Sequence, residues 1–186
     1  ALLASLRGSV CMYQGEELGL GEAEVAFEDL QDPYGITFWP NFKGRDGCRT
    51  PMPWDAADAE QAGFSTVKPW LPLGDAHKSV AVNTQDQDKD SILNAYREFM
   101  AWRKDKNVLL EGDIEFIETQ EPVLAFYRTL NDTKMLCAFN LGAQSSELTI
   151  SDTVSSQHTE ISHHTAELNN NTVTLPGFGC FYATLN

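Results

Sequence analysis

Two acidic side chains stand next to each other at Glu16 and Glu17, the simplest candidates for carboxylates working together as acid and base. Adjacent residues on an extended segment point apart, so this pair cannot flank one bond; it reads as a brace for loop backbone or for a nearby arginine. The histidines His77, His158, His163 and His164 do not fall at zinc-ligand spacing, although two are neighbours. Cys11, Cys48, Cys137 and Cys180 are widely separated and form no Cys-x-x-Cys pair. They read as reduced thiols of a cytosolic protein, some buried as small apolar groups, while an even count also allows disulfides and nothing selects a pairing. No metal or cofactor is expected from this set. Asp46 and Arg49 read as internal loop braces, and Arg45 taken in isolation as a solvated loop charge.

The elements that would position these groups come in three stretches. Residues 1–6 are mostly apolar and read as the last turns of a helix, stopped by Arg7 and Gly8. Residues 9–13 form a short apolar run between glycines, the pattern of a strand buried on both faces in a parallel sheet. Such a strand needs neighbours for its backbone donors and acceptors, so the chain is expected to begin in the middle of a larger fold; no basic stretch followed by an apolar core is present, so no signal peptide is visible in it. From about residue 20 to 82 there is little periodicity. This stretch holds six of the 8 prolines (33, 40, 51, 53, 69, 72) and three of the 4 tryptophans (39, 54, 70), which blocks long helices and strands. An irregular segment this rich in aromatics reads as a functional loop, with a structured excursion that merely covers a core as the plainer alternative.

A helix follows over 91–104, with apolar residues at 92, 93, 96, 99, 100 and 102, Asp90 or Ser91 as N-cap, and Arg103-Lys104 at the C-terminal end. From about Leu109 the period changes. Short runs at 113–118, 123–128, 134–140, 147–150, 172–175 and 180–185 read as strands of an antiparallel sandwich, and 155–171 as a polar connection with a turn at Asn169-Asn170-Asn171.

Composition narrows the function. The 186 residues are 42% hydrophobic and 22% charged, an ordinary globular mixture that rules out wholesale disorder. A formal charge of −14 repels phosphate backbones and anionic lipid heads, so neither a nucleic acid nor a membrane surface is expected as partner, whereas a neutral ligand is indifferent to it. No apolar run is long enough to span a membrane.

Two blocks then carry a resemblance. The first is Gly8-Ser9-Val10-Cys11-Met12-Tyr13-Gln14-Gly15-Glu16-Glu17-Leu18-Gly19-Leu20. The second runs through Gln31-Asp32-Pro33-Tyr34-Gly35, Phe38-Trp39-Pro40 and Gly44-Arg45-Asp46-Gly47-Cys48-Arg49-Thr50-Pro51-Met52-Pro53-Trp54-Asp55, and Ala62-Gly63-Phe64-Ser65 and Lys68-Pro69-Trp70-Leu71-Pro72 continue it. Together they closely resemble the C-terminal portion of α-glucosidases of the α-amylase superfamily, glycoside hydrolase family 13, and most of all the oligo-1,6-glucosidase and bacterial α-glucosidase branch. The resemblance covers essentially the whole chain and is strongest from 8 to 104.

It implies an α+β fragment: residues 1–106 as the end of a catalytic (β/α)8 barrel, with its last strand, a long active-site loop and its last helix, and 107–186 as an antiparallel β-sandwich C-terminal domain. Active sites of such barrels lie on the loops after the strands. Family members retain anomeric configuration with an Asp nucleophile and a Glu acid/base, whose motifs precede the eighth strand. No His-Asp pair of the kind found in the nearest of those motifs occurs here, so the chain is expected to carry no catalytic residue and to be inactive alone.

One binding residue carries over. Arg45 matches the family arginine that binds the terminal glucose and that in the family pairs with an Asp from an early barrel loop, a planar guanidinium fork donating to that carboxylate and to vicinal hydroxyls. Phe38 and Trp39, with Trp54 beside them as a weaker candidate, would stack on sugar faces at the pocket rim. Tyr13, His158, His163 and His164 read as packing or solvated groups. The substrate implied is an α-glucoside oligosaccharide of maltose or isomaltose type, cut in the cytoplasm from its non-reducing end. Two other readings stay open: a carbohydrate-binding module built on the sandwich, and a related transferase or isomerase of the sucrose isomerase or trehalose synthase type. A piece of a barrel leaves apolar faces uncovered, so the N-terminal half is expected either to be disordered in places or to pair with a second copy.

Overall fold

The computed structural model describes residues 1–58, 60–161 and 166–186, so the readings of His163 and His164 lie outside the described residues. The described helices are α1 (Leu2–Ser5), α2 (Pro33–Phe38), α3 (Val82–Gln87), α4 (Ile92–Lys104) and α5 (Asn107–Glu111). The strands are β1 (Asp113–Ile117), β2 (Val123–Leu130), β3 (Thr133–Asn140), β4 (Ser146–Thr149), β5 (Val154–Gln157), β6 (Glu167–Asn169), β7 (Thr172–Leu175) and β8 (Cys180–Leu185). The chain falls into two compact units: a loop unit, Met12–Asn94, and a β unit made of Ala1–Cys11 with Ala95–Asn186.

In the β unit, β1-β2-β3-β8-β5 form one sheet and β4-β7-β6 another, and every pairing is antiparallel. Side chains alternate across a strand, and both faces of the larger sheet are used. Val123, Ala125, Leu136, Ala138, Phe181 and Ala183 pack with Leu148, Val173 and Leu175 of the smaller sheet. The opposite face, Phe126, Met135, Cys137, Phe139 and Tyr182, packs against Ala4, Phe99, Val108 and Leu109 of the helices. The Tyr182 ring lies 5.3–5.8 Å from the rings of Trp102, Phe139 and Phe99. This two-sided burial explains why β3 is an unbroken apolar run from Met135 to Phe139, with no polar alternation. It is an antiparallel sandwich, as the strand pattern implies, with helices on its second face.

A charge sits inside this second core. Arg128 of β2 is fully buried and donates from Nη1 to the Ser5 carbonyl at 2.6 Å, from Nη2 to Gly112 at 2.8 Å and from Nε to Asp113 at 3.2 Å. Burial disfavours the charged form and lowers its pKa, so these carbonyl dipoles, one on the last residue of α1 and one just past α5, are what stabilise the cation.

Three expectations change. The barrel strand over residues 10–13 is not formed: no described strand pairs with it, and a parallel strand exists only through its neighbours. The stretch read as a polar connection contains β5, an edge strand paired to β8 across a register shift at Val154/Ser156, and β6; both are short and mostly polar, so backbone pairing rather than apolar alternation defines them. A short helix, α5, precedes the strands. The helix expected over 91–104 is α4, and Ser91 is its N-cap, its hydroxyl accepting from the Asn94 amide at 3.2 Å.

The loop unit has only a small apolar cluster, Val25, Leu30 and Leu71. Side chains take over the satisfaction of its backbone. Gln85 donates to the carbonyls of Leu18 (2.8 Å) and Val80 (3.0 Å) and accepts from the Leu93 amide (2.9 Å). Asp58 accepts from the amides of Glu60, Gln61 and Gly63 at 2.8–3.3 Å. His77 Nε2 donates to the Gly21 carbonyl at 2.9 Å. Turn hydrogen bonds within the irregular backbone reach only some of its amides and carbonyls, and these polar side chains satisfy others.

Candidate functional site

Arg45 belongs to a lattice of two carboxylates and two guanidinium groups. It is built from the local backbone upward. Asp32 is the N-cap of α2: its Oδ1 accepts the Tyr34 amide at 3.0 Å, and Pro33 at the first helical position has no amide to satisfy. Asp46, in the turn after Arg45, sends its Oδ2 back to the amides of Gln31 (2.6 Å) and Asp32 (2.7 Å). Its Oδ1 takes Arg49 Nη2 at 2.5 Å. Asp32 Oδ2 in turn takes both the Arg45 amide (3.1 Å) and Arg45 Nε (3.3 Å), with Arg49 Nη2 at 3.5 Å.

Two glycines permit this approach. Gly44 has φ +76°, and a Cβ there would lie 2.8 Å from Asp32 Cβ; at Gly35 a Cβ would lie 2.5 Å from the Lys43 carbonyl oxygen. The carboxylates are sealed while the arginine is not. The side chain of Asp32 is 2% exposed and that of Arg45 71%.

Burial pushes the Asp32 carboxyl up, but the amides of Tyr34 and Arg45 and the Arg45 guanidinium outweigh it and hold the pKa below 3.8. Asp46 is likewise pushed up by burial and lowered overall by the amides of Asp32 and Gln31 and by Arg49. Both groups therefore remain buried anions with their oxygens occupied. Neither is free to attack a sugar carbon or to hand over a proton at neutral pH.

The aromatic candidates hang on α2, the helix that Asp32 caps. Phe38 is exposed and stacks on Tyr34 at 6.3 Å and 10°. Trp39 is tilted against Phe27 at 5.7 Å, with Lys43 Nζ 6.0 Å from its ring centroid. Among the described residues neither ring takes the Arg45 guanidinium as a partner. Trp54 is also exposed, and Trp70 carries Arg49 at 5.8 Å.

Glu17 braces loop backbone, accepting the Gly15 amide at 2.9 Å, as expected of that acidic pair. Tyr13 is not packed: it is half exposed in a small cleft with Gln14, Glu16, Cys48, Thr50 and His77. His158 Nε2 lies 3.0 Å from the Thr184 hydroxyl. All four cysteines are free thiols. Among the described residues no three His, Cys, Asp or Glu side chains are arranged to hold a metal ion, and no helix is long and apolar enough to cross a membrane. The residue that single-residue reasoning missed is Asp32; its signal was the Asp-Pro step of a helix start.

Comparison with known proteins places this geometry in context. The profile described as "Alpha amylase, catalytic domain" matches residues 1–112, and "Alpha-amylase SusG C-terminal domain" matches residues 123–180. A probable alpha-glucosidase of Rhizobium meliloti (strain 1021) is 46% identical over 100% of this chain and 33% of its own length. An oligo-1,6-glucosidase of Bacillus cereus is 28% identical, covering 91% of this chain and 33% of its own. In structure, the alpha-glucosyl transfer enzyme XgtA superposes with a TM-score of 0.91 at 50% identity, over 100% of this chain and 34% of that one. The chain thus spans about a third of the length of the curated relatives it matches.

Proposed function

The chain belongs to the α-amylase family, glycoside hydrolase family 13, and on that premise we propose that it supplies a wall of the sugar pocket of a retaining, exo-acting α-glucosidase. The substrates are α-glucosidic oligosaccharides of maltose or isomaltose type. The observation that carries the reading is the half-held arginine: Arg45 is fixed at its backbone and Nε, and its fork is presented to solvent. Two coplanar N–H groups fit the vicinal hydroxyls of a terminal glucose, and a cation standing at the closed end of a pocket restricts it to chain ends. Phe38 and Trp39 offer exposed ring faces to the apolar side of a pyranose.

Residues 1–106 form the barrel part of this enzyme and 107–186 its C-terminal domain. That the carboxylates beside Arg45 are buried and committed supports the reading that the chain itself contributes no nucleophile or general acid. Free thiols agree with a cytoplasmic setting. Apolar side chains left exposed at Leu3, Met12 and Tyr13 favour pairing of the isolated chain with a second copy. A stand-alone binding module is not supported, because both faces of the larger sheet are covered.

The test has two arms. The isolated chain should not turn over a chromogenic α-glucoside. In the α-glucosidase that contains it, Arg45→Ala should raise KM for maltose and isomaltose far more than it lowers kcat; an unchanged KM would remove Arg45 from the site. A transferase reading is favoured by the 50% identity to an alpha-glucosyl transfer enzyme. Product analysis with maltose and a sugar acceptor separates the two, since transfer yields a new glycoside and hydrolysis only glucose.

A further inference from the structure

We infer that Asp32 is the positioning residue of the sugar-binding arginine: a buried carboxylate that grips Arg45 by its amide and its Nε and so aims the free end of the guanidinium at the substrate. The inference rests on the reading of Arg45 given above and deepens it.

Three observations lead there. The first is a division of labour between the two carboxylates. Arg49 has its close partner in Asp46, at 2.5 Å, and stands 3.5 Å from Asp32. Arg45 pairs with Asp32 and, among the described residues, with no other acid. Removing the Asp32 charge therefore leaves Arg49 paired and Arg45 without an acid partner among the described residues.

The second is which nitrogen is held. Bonds to the amide and to Nε of the same residue close a ring through one oxygen, Asp32 Oδ2. Fixing Nε fixes the plane of the guanidinium and leaves both Nη groups without a partner among the described residues. An arginine gripped by its Nη atoms would be spent on the carboxylate; one gripped by Nε keeps its bidentate edge for a ligand.

The third is the rigidity of the grip. Asp32 cannot drift, because its amide is bound by Asp46, its Oδ1 caps α2, and Gly35 and Gly44 bring the two backbones into contact. A long arginine side chain loses rotamer entropy on binding a sugar; a held Nε removes part of that cost beforehand.

The experiment is a double-mutant cycle in the α-glucosidase that contains this chain. Asp32→Asn keeps the size and an N-cap oxygen but loses the charge and one acceptor. It should raise KM for maltose about tenfold, the scale of losing a group that orients a ligand-binding residue, with little change in kcat. In an Arg45→Ala background the same substitution should change KM no further, since Asp32 acts through Arg45. An equal effect in both backgrounds, or none in either while Arg45→Ala still raises KM, overturns the inference and leaves the sugar reading intact. No effect of Arg45→Ala overturns that reading instead.

A second readout needs no activity. In the isolated chain the Arg45 Nε–H resonance should be shifted downfield and slow to exchange, and Asp32→Asn should abolish both properties. The same Nε–H signal in the two proteins counts against the grip.

Discussion

The two units of this chain are stabilised in opposite ways. In the β unit two apolar clusters lie on the two faces of one sheet, and among the described residues the buried polar groups are Ser5, Asn140 and the guanidinium of Arg128, the one buried charge. In the loop unit the apolar cluster shrinks to three residues, and the buried groups that matter are polar: Asp32, Asp46, Thr50, His77, Gln85 and Ser91. Regular strands satisfy their backbone among themselves and free the side chains to be apolar; irregular loops give up side chains to satisfy the backbone. A site that must present a charged group is more readily built on the second kind of scaffold, because the counter-charges that aim it are already part of the framework.

The contrast can be broken most severely in the apolar half. Phe126 is fully buried, with its ring 5.5 Å from Phe116 and 5.7 Å from Phe139. Phe126→Ala should cost about 4 kcal/mol in urea unfolding monitored on the β unit. Arg128→Ala tests the buried charge: it takes a donor from three carbonyls, two of the bonds being buried, and should cost about 3 kcal/mol. A smaller loss would mean that the buried charge was nearly cancelling its own hydrogen bonds.

In the loop unit Asp46→Ala strands the amides of Gln31 and Asp32. It should cost about 2 kcal/mol. Hydrogen exchange should accelerate first at those two amides. Acid and alkali should then separate the units. Asp32, Asp46 and Asp58 have folded pKa values held below 3.8, so the unfolded chain takes up protons first. Their stabilisation is complete above that value and is lost as pH falls through the lowered folded values.

Among its described residues the β unit carries one such group, Asp152, lowered by hydrogen bonds from Tyr127 and then Lys134. Tyr127 itself is raised from 10.0 to about 12, first by burial and then by its bond to Asp152. Stability from Tyr127 is complete below pH 10.0 and is lost as pH rises toward about 12. Residue-resolved NMR across pH should therefore show acid loosening mainly residues 12–94, and alkali loosening the β2–β3 region. The smallest effect belongs to Arg7 and Asp113, an ion pair at 3.4 Å with both side chains exposed; Arg7→Ala should change stability by less than about 0.5 kcal/mol.

How far the sequence reaches differs between the units for the same reason. The spacing of Leu93, Phe99 and Trp102 marks α4, and the apolar runs mark β2, β3 and β8, because regular elements imprint their period on the chain. β5 and β6 leave no such imprint, being short and polar, and the run at 10–13 has the imprint without the neighbours that would make it a strand. In the loop unit the motifs around Arg45 carried a family resemblance, yet nothing in their spacing disclosed that Asp32 lies beneath that arginine, thirteen positions away.

By itself the sequence determined composition, charge, periodicity and family, all properties that local residue types and their order contain. Tertiary structure alone decided which oxygen faces which nitrogen: that Asp46 serves the amides of Gln31 and Asp32, that Asp32 serves Arg45, and that Arg128 is enclosed by carbonyls. Those pairings depend on distances of about 3 Å between segments far apart along the chain. Such distances are set only when the backbones touch.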